Sequence, residues 1–344
     1  MKRMIICCDG TWNTPDKNTS GIPLHTNVVK IAQAIKPVSD FGVRQLTYYN
    51  VGIGTSGTFL KKWYDGATGS GISKNIIEAY KYLILNYESG DELFFFGFSR
   101  GAFTVRSLAG LIRNSGILRK DSIDMIEKAY KLYKSRSSST HPKEKEATLF
   151  RKTYTVADKV PIKFIGVWDT VGSLGNPLVL NTLFSKISPI TLANSFHDAE
   201  LSSIVENAVQ ALAIDEKRSN FRPTIWIKQD DSVNQYVEQK WFIGAHSNIG
   251  GGYPSTALSD IALEWMIEKA RNCKLDINTV EYNSNYLKAP DESWKGFYKL
   301  ISRFYRPIGQ QVNSFEELHP TVEKRYNEDP DYRPKNLVEY KNQN

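Results

Sequence analysis

The chain has 344 residues, of which 41% are hydrophobic, 12% aromatic and 24% charged, values that exclude a disordered or fibrous protein. At about 150 residues per domain, this length allows two domains or one large α/β domain with insertions. Lys and Arg number 44 against 37 Asp and Glu, and the net charge of +7 is too modest for nucleic-acid binding but compatible with anionic surfaces such as phospholipid headgroups.

In chain order, Met4–Asp9 is an apolar run ending at Asp9-Gly10-Thr11, and Asn27–Ile35 has helical spacing. Gln45–Val51 reads as a strand running into Gly52-Ile53-Gly54-Thr55, and Ile72–Tyr87 is helical after the Gly-rich Gly66–Gly71. Asp91–Phe98 is almost continuously apolar, as expected of a strand buried on both faces, and Gly101–Arg113 resumes helical spacing. The alternation predicts crossover units and a mainly parallel sheet. Lys120–Asp158 is rich in Lys, Ser and Glu, with Ser137-Ser138-Ser139 at its middle, and predicts a polar, partly helical insertion with a loose loop. Pro161–Asp169 is again a buried-type strand, whereas Asn176–Ser195 is apolar but punctuated by Asn, Ser and Pro. Ser203–Ala213 predicts a helix, Thr224–Gln229 and Lys240–Ala245 predict strands, and Leu258–Asn272 an amphipathic helix. The extension 283–344 carries Trp294, Phe297, Tyr298, Phe304 and Tyr305 and is expected to pack on the domain.

Apolar runs such as Leu93–Phe98 are strand-length, well short of the roughly 18 residues of a membrane-spanning helix. Met4-Ile5-Ile6-Cys7-Cys8 is shorter than the roughly 7–15-residue apolar core of a signal peptide, and Asp9 follows it. Cys7, Cys8 and Cys273 make neither a disulfide framework nor a CxxC pair. The expectation is a chain made in the reducing cytosol, with export by a route needing no cleavable signal left open.

Gly97-Phe98-Ser99-Arg100-Gly101 fits G-x-S-x-G. The pentad alone is weak, but it lies between a buried strand and a helix, the context of a nucleophile elbow. Such a turn strains the serine backbone, and glycines two residues either side let strand and helix approach. A serine nucleophile needs a base, and the base needs an orienting carboxylate, in the order Ser, acid, His along an α/β-hydrolase chain. Of the five histidines, His25 precedes the serine, His141 lies in the polar insertion and His197 has no strand before it. His246 follows the apolar Trp241–Ala245 and opens the Gly-rich Ser247-Asn248-Ile249-Gly250-Gly251-Gly252, which makes it the candidate base; His319, before Pro320 in a helix-start context, is the second. Asp169 ends the strand Ile162–Trp168 and is the candidate acid; Asp215, in the exposed-looking charge run Asp215-Glu216-Lys217-Arg218, ranks next, ahead of Asp198 and Asp230.

A developing oxyanion needs donors. The backbone N–H of Arg100 is one, and the N–H of Gly10 or Thr11, on the loop two strands earlier, is the other. Asp9 either braces that loop or serves a plain turn. Asp9-Gly10-Thr11 also resembles the start of haloacid-dehalogenase-type phosphotransferases, but their nucleophilic aspartate would fall at Cys7. Gly66–Gly71 lacks the Lys-Ser/Thr of a phosphate loop, and no spacing calls for a metal or other cofactor.

The chain resembles the α/β-hydrolase domain of type VI secretion phospholipase effectors. The resemblance rests on Cys8-Asp9-Gly10-Thr11-Trp12-Asn13, Gly97-Phe98-Ser99-Arg100-Gly101-Ala102-Phe103, Gly166-Val167-Trp168-Asp169-Thr170-Val171-Gly172, Ala213-Ile214-Asp215-Glu216-Lys217-Arg218, Phe221-Arg222-Pro223 and Gly244-Ala245-His246-Ser247-Asn248-Ile249-Gly250-Gly251-Gly252-Tyr253. His319-Pro320-Thr321-Val322 resembles a late motif. The resemblance implies a triad of Ser99, Asp169 and His246, with Asn248 where relatives usually carry Asp; Asp9, Trp12 and Asn248 are expected to bind substrate or brace loops.

The expectation is one α/β-hydrolase-like domain over residues 1–344, a mainly parallel sheet flanked by helices. Lys120–Asp158 and a stretch within 176–205 would form a cap that opens at a lipid surface. The expected activity is that of a serine esterase or lipase, acting through an acyl-enzyme on glycerophospholipids by resemblance. The alternatives are a carboxylesterase for soluble esters and an inactive binding module with a hydrolase fold.

Overall fold

A computed structural model describes residues 1–10, 15–16, 18–52, 69–135, 137–172, 200–230, 232, 234–300 and 303–343. Thr11, Trp12, His197, Asp198 and the apolar stretch Asn176–Ser195 lie outside the described residues.

Alternating residues of single strands feed two separate cores. From β1 (Arg3–Cys8), Met4, Ile6 and Cys8 face one layer of helices, while Ile5 and Cys7 face the other. In β5 (Glu92–Phe98), Leu93 and Phe95 join the first layer and Phe94, Phe96 and Phe98 the second. A strand covered on both faces has no polar side to show, which is why these segments read as unbroken apolar runs. The first layer holds α2 (Gly69–Asn86) and α3 (Arg100–Ser115); the second holds α1 (Asn27–Ala34) and α7 (Ser259–Asn272). Thr26 caps α1, its side chain accepting from the Val29 N–H.

Among the described residues, the main sheet has seven strands in the order β4-β1-β5-β6-β7-β8-β9, with every pair parallel. The other members are β4 (Gln45–Asn50), β6 (Phe164–Trp168), β7 (Asn207–Ala213), β8 (Tyr236–Phe242) and the edge strand β9 (Glu316–Leu318). A short hairpin, β2 (Asn18–Thr19) with β3 (Ile22–Pro23), stands apart. Because all seven strands run the same way, their carboxyl ends share one edge. The order there places Asp9, Ser99, Asp169, the chain after Ala213 and the chain after Phe242 side by side, as the expected α/β-hydrolase-like arrangement requires.

Two expectations change. Ser203–Ala213 is no helix: Asn207–Ala213 is the interior strand β7, buried along almost its whole length. A short apolar run fits a buried strand or a buried helix, and periodicity cannot separate them. Thr224–Gln229 forms no strand: isolated bridges fall at Pro223, just before it, and at Ile227. The polar insertion Lys120–Asp158 is partly helical and packs on the first core. It forms two 3-10 turns, α4 (Ile126–Lys134) and α5 (Lys145–Tyr154), and sends Ile126, Ala129, Leu132, Ala147 and Phe150 into the first core. It meets α3 at its far end, where Arg151 donates to the Asn114 carbonyl at 2.8 Å and Ser115 Oγ to that of Ala129 at 2.8 Å. At 1.5 Å rise per residue, that end lies roughly 20 Å along the helix from Ser99. The C-terminal extension packs through α8 (Pro320–Glu328) and α9 (Lys335–Gln343), whose Val322 and Leu337 enter the second core. Among the described residues no helix is long and apolar enough to cross a membrane.

Candidate active site

Ser99 stands between β5 and α3 with φ 57° and ψ −120°, a left-handed conformation costing a non-glycine residue roughly 1–3 kcal/mol. The flanking glycines make the turn sterically feasible. A Cβ on Gly97 would sit 2.6 Å from the Ala102 Cα, and one on Gly101 only 2.1 Å from the Cys8 carbonyl oxygen. Gly101 is therefore where α3 presses on the end of β1. Gly101→Ala is expected to lose about 1–3 kcal/mol of stability, read from urea unfolding. An unchanged midpoint would contradict this account of the turn.

Across the sheet edge the Ser99 N–H donates to the Trp168 carbonyl at 3.0 Å, which sets the serine beside the end of β6. Asp169 follows at once, also at positive φ (43°), with its N–H on the Ala211 carbonyl at 2.8 Å. His246 opens the short helix α6 (His246–Gly250) after β8. The three side chains meet: His246 Nε2 lies 2.8 Å from Ser99 Oγ, and His246 Nδ1 lies 2.5 Å from Asp169 Oδ2. All three are buried, Asp169 completely. An ionised carboxylate only accepts, so Nδ1 carries the proton, and Nε2 presents its lone pair to the serine hydroxyl.

Asp169 is the most heavily held group in the site. Arg306 NH1 donates to Oδ1 at 2.6 Å and NH2 to Oδ2 at 3.0 Å, and the Ala213 N–H adds a bond to Oδ1 at 3.0 Å. Burial opposes ionisation, but the charge of Arg306, followed by the bond and charge of His246, holds the carboxyl well below the usual range. Taking one member from such a buried pair costs roughly 3–5 kcal/mol, because the other charge is left uncompensated. For His246, burial pushes the imidazole below its ordinary value, and Asp169 only partly offsets this.

His246 is also fixed by rings and by its loop. Phe98 lies 4.6 Å from the imidazole centroid at 34°, and Phe221 meets it edge-on at 4.9 Å. Gly250 has no room for a side chain, since its Cβ would come 2.1 Å from the Phe98 ring. Asn248 Oδ1 accepts the Ala245 and Asp291 N–H groups at 3.1 and 3.0 Å, and Nδ2 donates to Asp291 Oδ2 at 2.9 Å. A carboxylate at 248 would face the charge of Asp291, so here the amide suits the bracing role. From the other side Asn27 Nδ2 donates to the Ile249 and Ser259 carbonyls, each at 2.9 Å.

The run Asp215–Arg218 is not a solvated charge patch. Glu216 is buried, accepts the His246 N–H at 3.3 Å and pairs with Arg218 NH2 at 2.8 Å. Asp215 Oδ2 accepts the Gly244 N–H at 2.7 Å and the Tyr332 hydroxyl at 3.0 Å, so it fastens the loop before His246 to the C-terminal extension. Asp9 braces the first loop: Oδ2 accepts the Thr26 and Tyr49 hydroxyls at 2.7 and 2.8 Å, and Oδ1 accepts the Gly10 N–H at 2.6 Å. Of the expected oxyanion donors, the Gly10 N–H is thus turned to Asp9, and the Arg100 N–H opens α3 beside the serine. His319 does not join the site. It caps α8, with Nδ1 2.8 Å from Thr321 Oγ1, and stacks on Phe242 at 4.4 Å. His25 Nε2 lies 3.0 Å from the Pro15 carbonyl, His141 Nδ1 accepts the Lys143 N–H at 3.4 Å, and Asp230 is exposed. Among the described residues no group of three or more His, Cys, Asp or Glu could hold a metal ion.

Arg306 is the component that sequence reading misses. It stands in Tyr305-Arg306-Pro307, in a segment marked by its aromatics, and no spacing marks it as a partner of Asp169. Glu216 and Arg218 sit in a motif that the sequence exposes, but their burial does not follow from it.

The parallel seven-stranded sheet with its strand–Gly-x-Ser-x-Gly–helix turn defines an α/β-hydrolase-like domain. The chain belongs to the type VI secretion Tle1-like phospholipase effector family, whose catalytic-domain model matches residues 2–269. It is 29% identical over 239 residues to the uncharacterized protein YEL023C of Saccharomyces cerevisiae, covering 64% of this chain and 32% of that protein. An uncharacterized protein from Pseudomonas aeruginosa superposes with a TM-score of 0.49 at 18% identity, over 83% of this chain and 47% of the other. The Tle1 effector bound to the VgrG spike of the type 6 secretion system gives 0.40 at 18% identity, over 73% and 51%. The chain thus spans about a third of the yeast protein and about half of each solved chain.

Proposed function

We propose that the domain is a serine esterase, a phospholipase that hydrolyses acyl esters of glycerophospholipids. The observation that carries this reading is the buried line from Ser99 Oγ through His246 to Asp169. Ser99 Oγ attacks the acyl carbonyl and gives its proton to His246 Nε2, while Asp169 stabilises the imidazolium that forms. The carbonyl oxygen becomes an oxyanion, and the Arg100 N–H at the start of α3 donates to it. When the tetrahedral intermediate collapses, the C–O bond to the lysolipid breaks and His246 protonates the departing oxygen. Water then repeats the sequence on the acyl-enzyme and releases fatty acid.

The choice of lipid comes from family membership; the site's charge agrees with it. Arg100 follows the nucleophile, and burial lowers its guanidinium to about 10, so it remains cationic at neutral pH. Arg222, exposed beside Phe221, lies 4.3 Å over the Phe304 ring. These cations near the base suit anionic headgroups and peripheral contact with an anionic membrane. Action as an exported effector rests on the family description alone.

A serine-directed fluorophosphonate probe is expected to label the protein at Ser99. Mixed liposomes should then yield fatty acid and lysolipid, with binding that weakens as salt rises. Failure to label would overturn the serine mechanism and favour a binding module. Labelling with release only from water-soluble esters would replace the phospholipase reading with a carboxylesterase.

A further inference from the structure

We infer that Arg306 is a positioning residue of the triad: it holds the Asp169 carboxylate in the plane that faces His246 and keeps the imidazole neutral into the acidic range. The inference rests on the proposed roles of Ser99, His246 and Asp169. It concerns a residue outside the 2–269 segment that the family model matches.

Geometry carries it. The guanidinium and the carboxylate are both fully buried and meet through two bonds, NH1 to Oδ1 and NH2 to Oδ2, at 2.6 and 3.0 Å. A planar fork against a planar carboxylate fixes the carboxylate's rotation, which a single bond would leave free. Oδ2 is therefore presented to His246 Nδ1 before any substrate arrives. The remaining Arg306 bonds tie the same region together: NH1 donates to the Ala213 carbonyl at 3.0 Å and NH2 to the Phe221 carbonyl at 2.5 Å. Phe221 is the ring that meets the imidazole edge-on. Asn336 on α9 donates to the Arg306 and Ile214 carbonyls, both at 3.1 Å, and anchors the arginine's backbone.

The charges around the imidazole then balance. Asp169, after β6, is matched by Arg306 from the C-terminal extension. Glu216, after β7, is matched by its own neighbour Arg218. Among the described residues, Ser99 and the rings of Phe98 and Phe221 add no further charge around the imidazole. In an Asp–His pair without the arginine, the carboxylate's full field would favour the imidazolium, and the base would fill with a proton at higher pH. With Arg306 present much of that field is cancelled, so protonation waits for more acid.

The test follows the rate of Ser99 phosphonylation by a fluorophosphonate as pH falls, a reading independent of the natural substrate. In the unaltered protein the rate should fall to half below 6.5, the ordinary histidine value. In Arg306→Met the half-rate point should rise by about one pH unit or more. Its maximal rate should drop roughly 100-fold as the carboxylate loses its fixed plane. Arg306→Lys keeps a charge without the fork, so its maximal rate should drop while its half-rate point stays low. A purely structural arginine would slow both variants and move neither point. Folded Arg306→Met with an unmoved half-rate point overturns the inference. If thermal unfolding shows that Arg306→Met does not fold, Arg306→Gln against Arg306→Lys makes the same comparison of charge, and equal half-rate points overturn it. Absence of labelling in the unaltered protein would instead overturn the serine mechanism itself.

Discussion

Ser99→Ala is expected to lower turnover of a short-chain nitrophenyl ester by roughly 10³–10⁶-fold. The oxygen removed is the one lying 2.8 Å from His246 Nε2, and the described site offers no substitute at that position. Residual hydrolysis should come from the oxyanion donors and from binding, which act without a covalent step. The variant should fold, because the turn depends on the glycines at 97 and 101 and on backbone bonds such as Ser99 N–H to Trp168 carbonyl, all of which alanine keeps. Intact unfolding behaviour with lost turnover isolates chemistry from stability. Unchanged turnover in a folded variant would remove Ser99 as the nucleophile.

The second large effect separates the two histidines. His246→Ala should abolish acyl-enzyme formation, whereas His319→Ala should keep it. His319 caps α8 and packs on Phe242, so its loss should cost only stability, about 1 kcal/mol. Burial lowers His319 to about 4, which keeps it neutral and able to accept the cap bond under ordinary conditions. Burst measurements on both variants decide the matter. Acyl-enzyme formation that survives His246→Ala and fails in His319→Ala would reverse the assignment.

Much of this organisation can be read from local sequence, for physical reasons. Met4–Cys8 and Leu93–Phe98 are apolar without alternation because both faces of their strands are covered. Gly97 and Gly101 are visible because a close backbone approach excludes every other side chain. The order Ser99, Asp169, His246 follows the order in which strands deliver residues to one edge. Asn207–Ala213 carries no such mark, because a buried strand and a buried helix can share one composition. Glu216 and Arg218 look like surface charge since their mutual neutralisation inside the fold leaves no local mark.

Spacing in the chain thus carries the turn around Ser99, the parallel sheet and the candidate triad, each depending on a residue's immediate neighbours or on strand order. The partners that hold those groups belong to the tertiary structure. Arg306 reaches Asp169 across 137 residues, Asn27 reaches Ile249 across 222, and Tyr332 reaches Asp215 across 117. A buried charge or amide must find a partner wherever the fold supplies one. That partner is set by which ends of strands and helices meet at the carboxyl edge, not by distance along the chain.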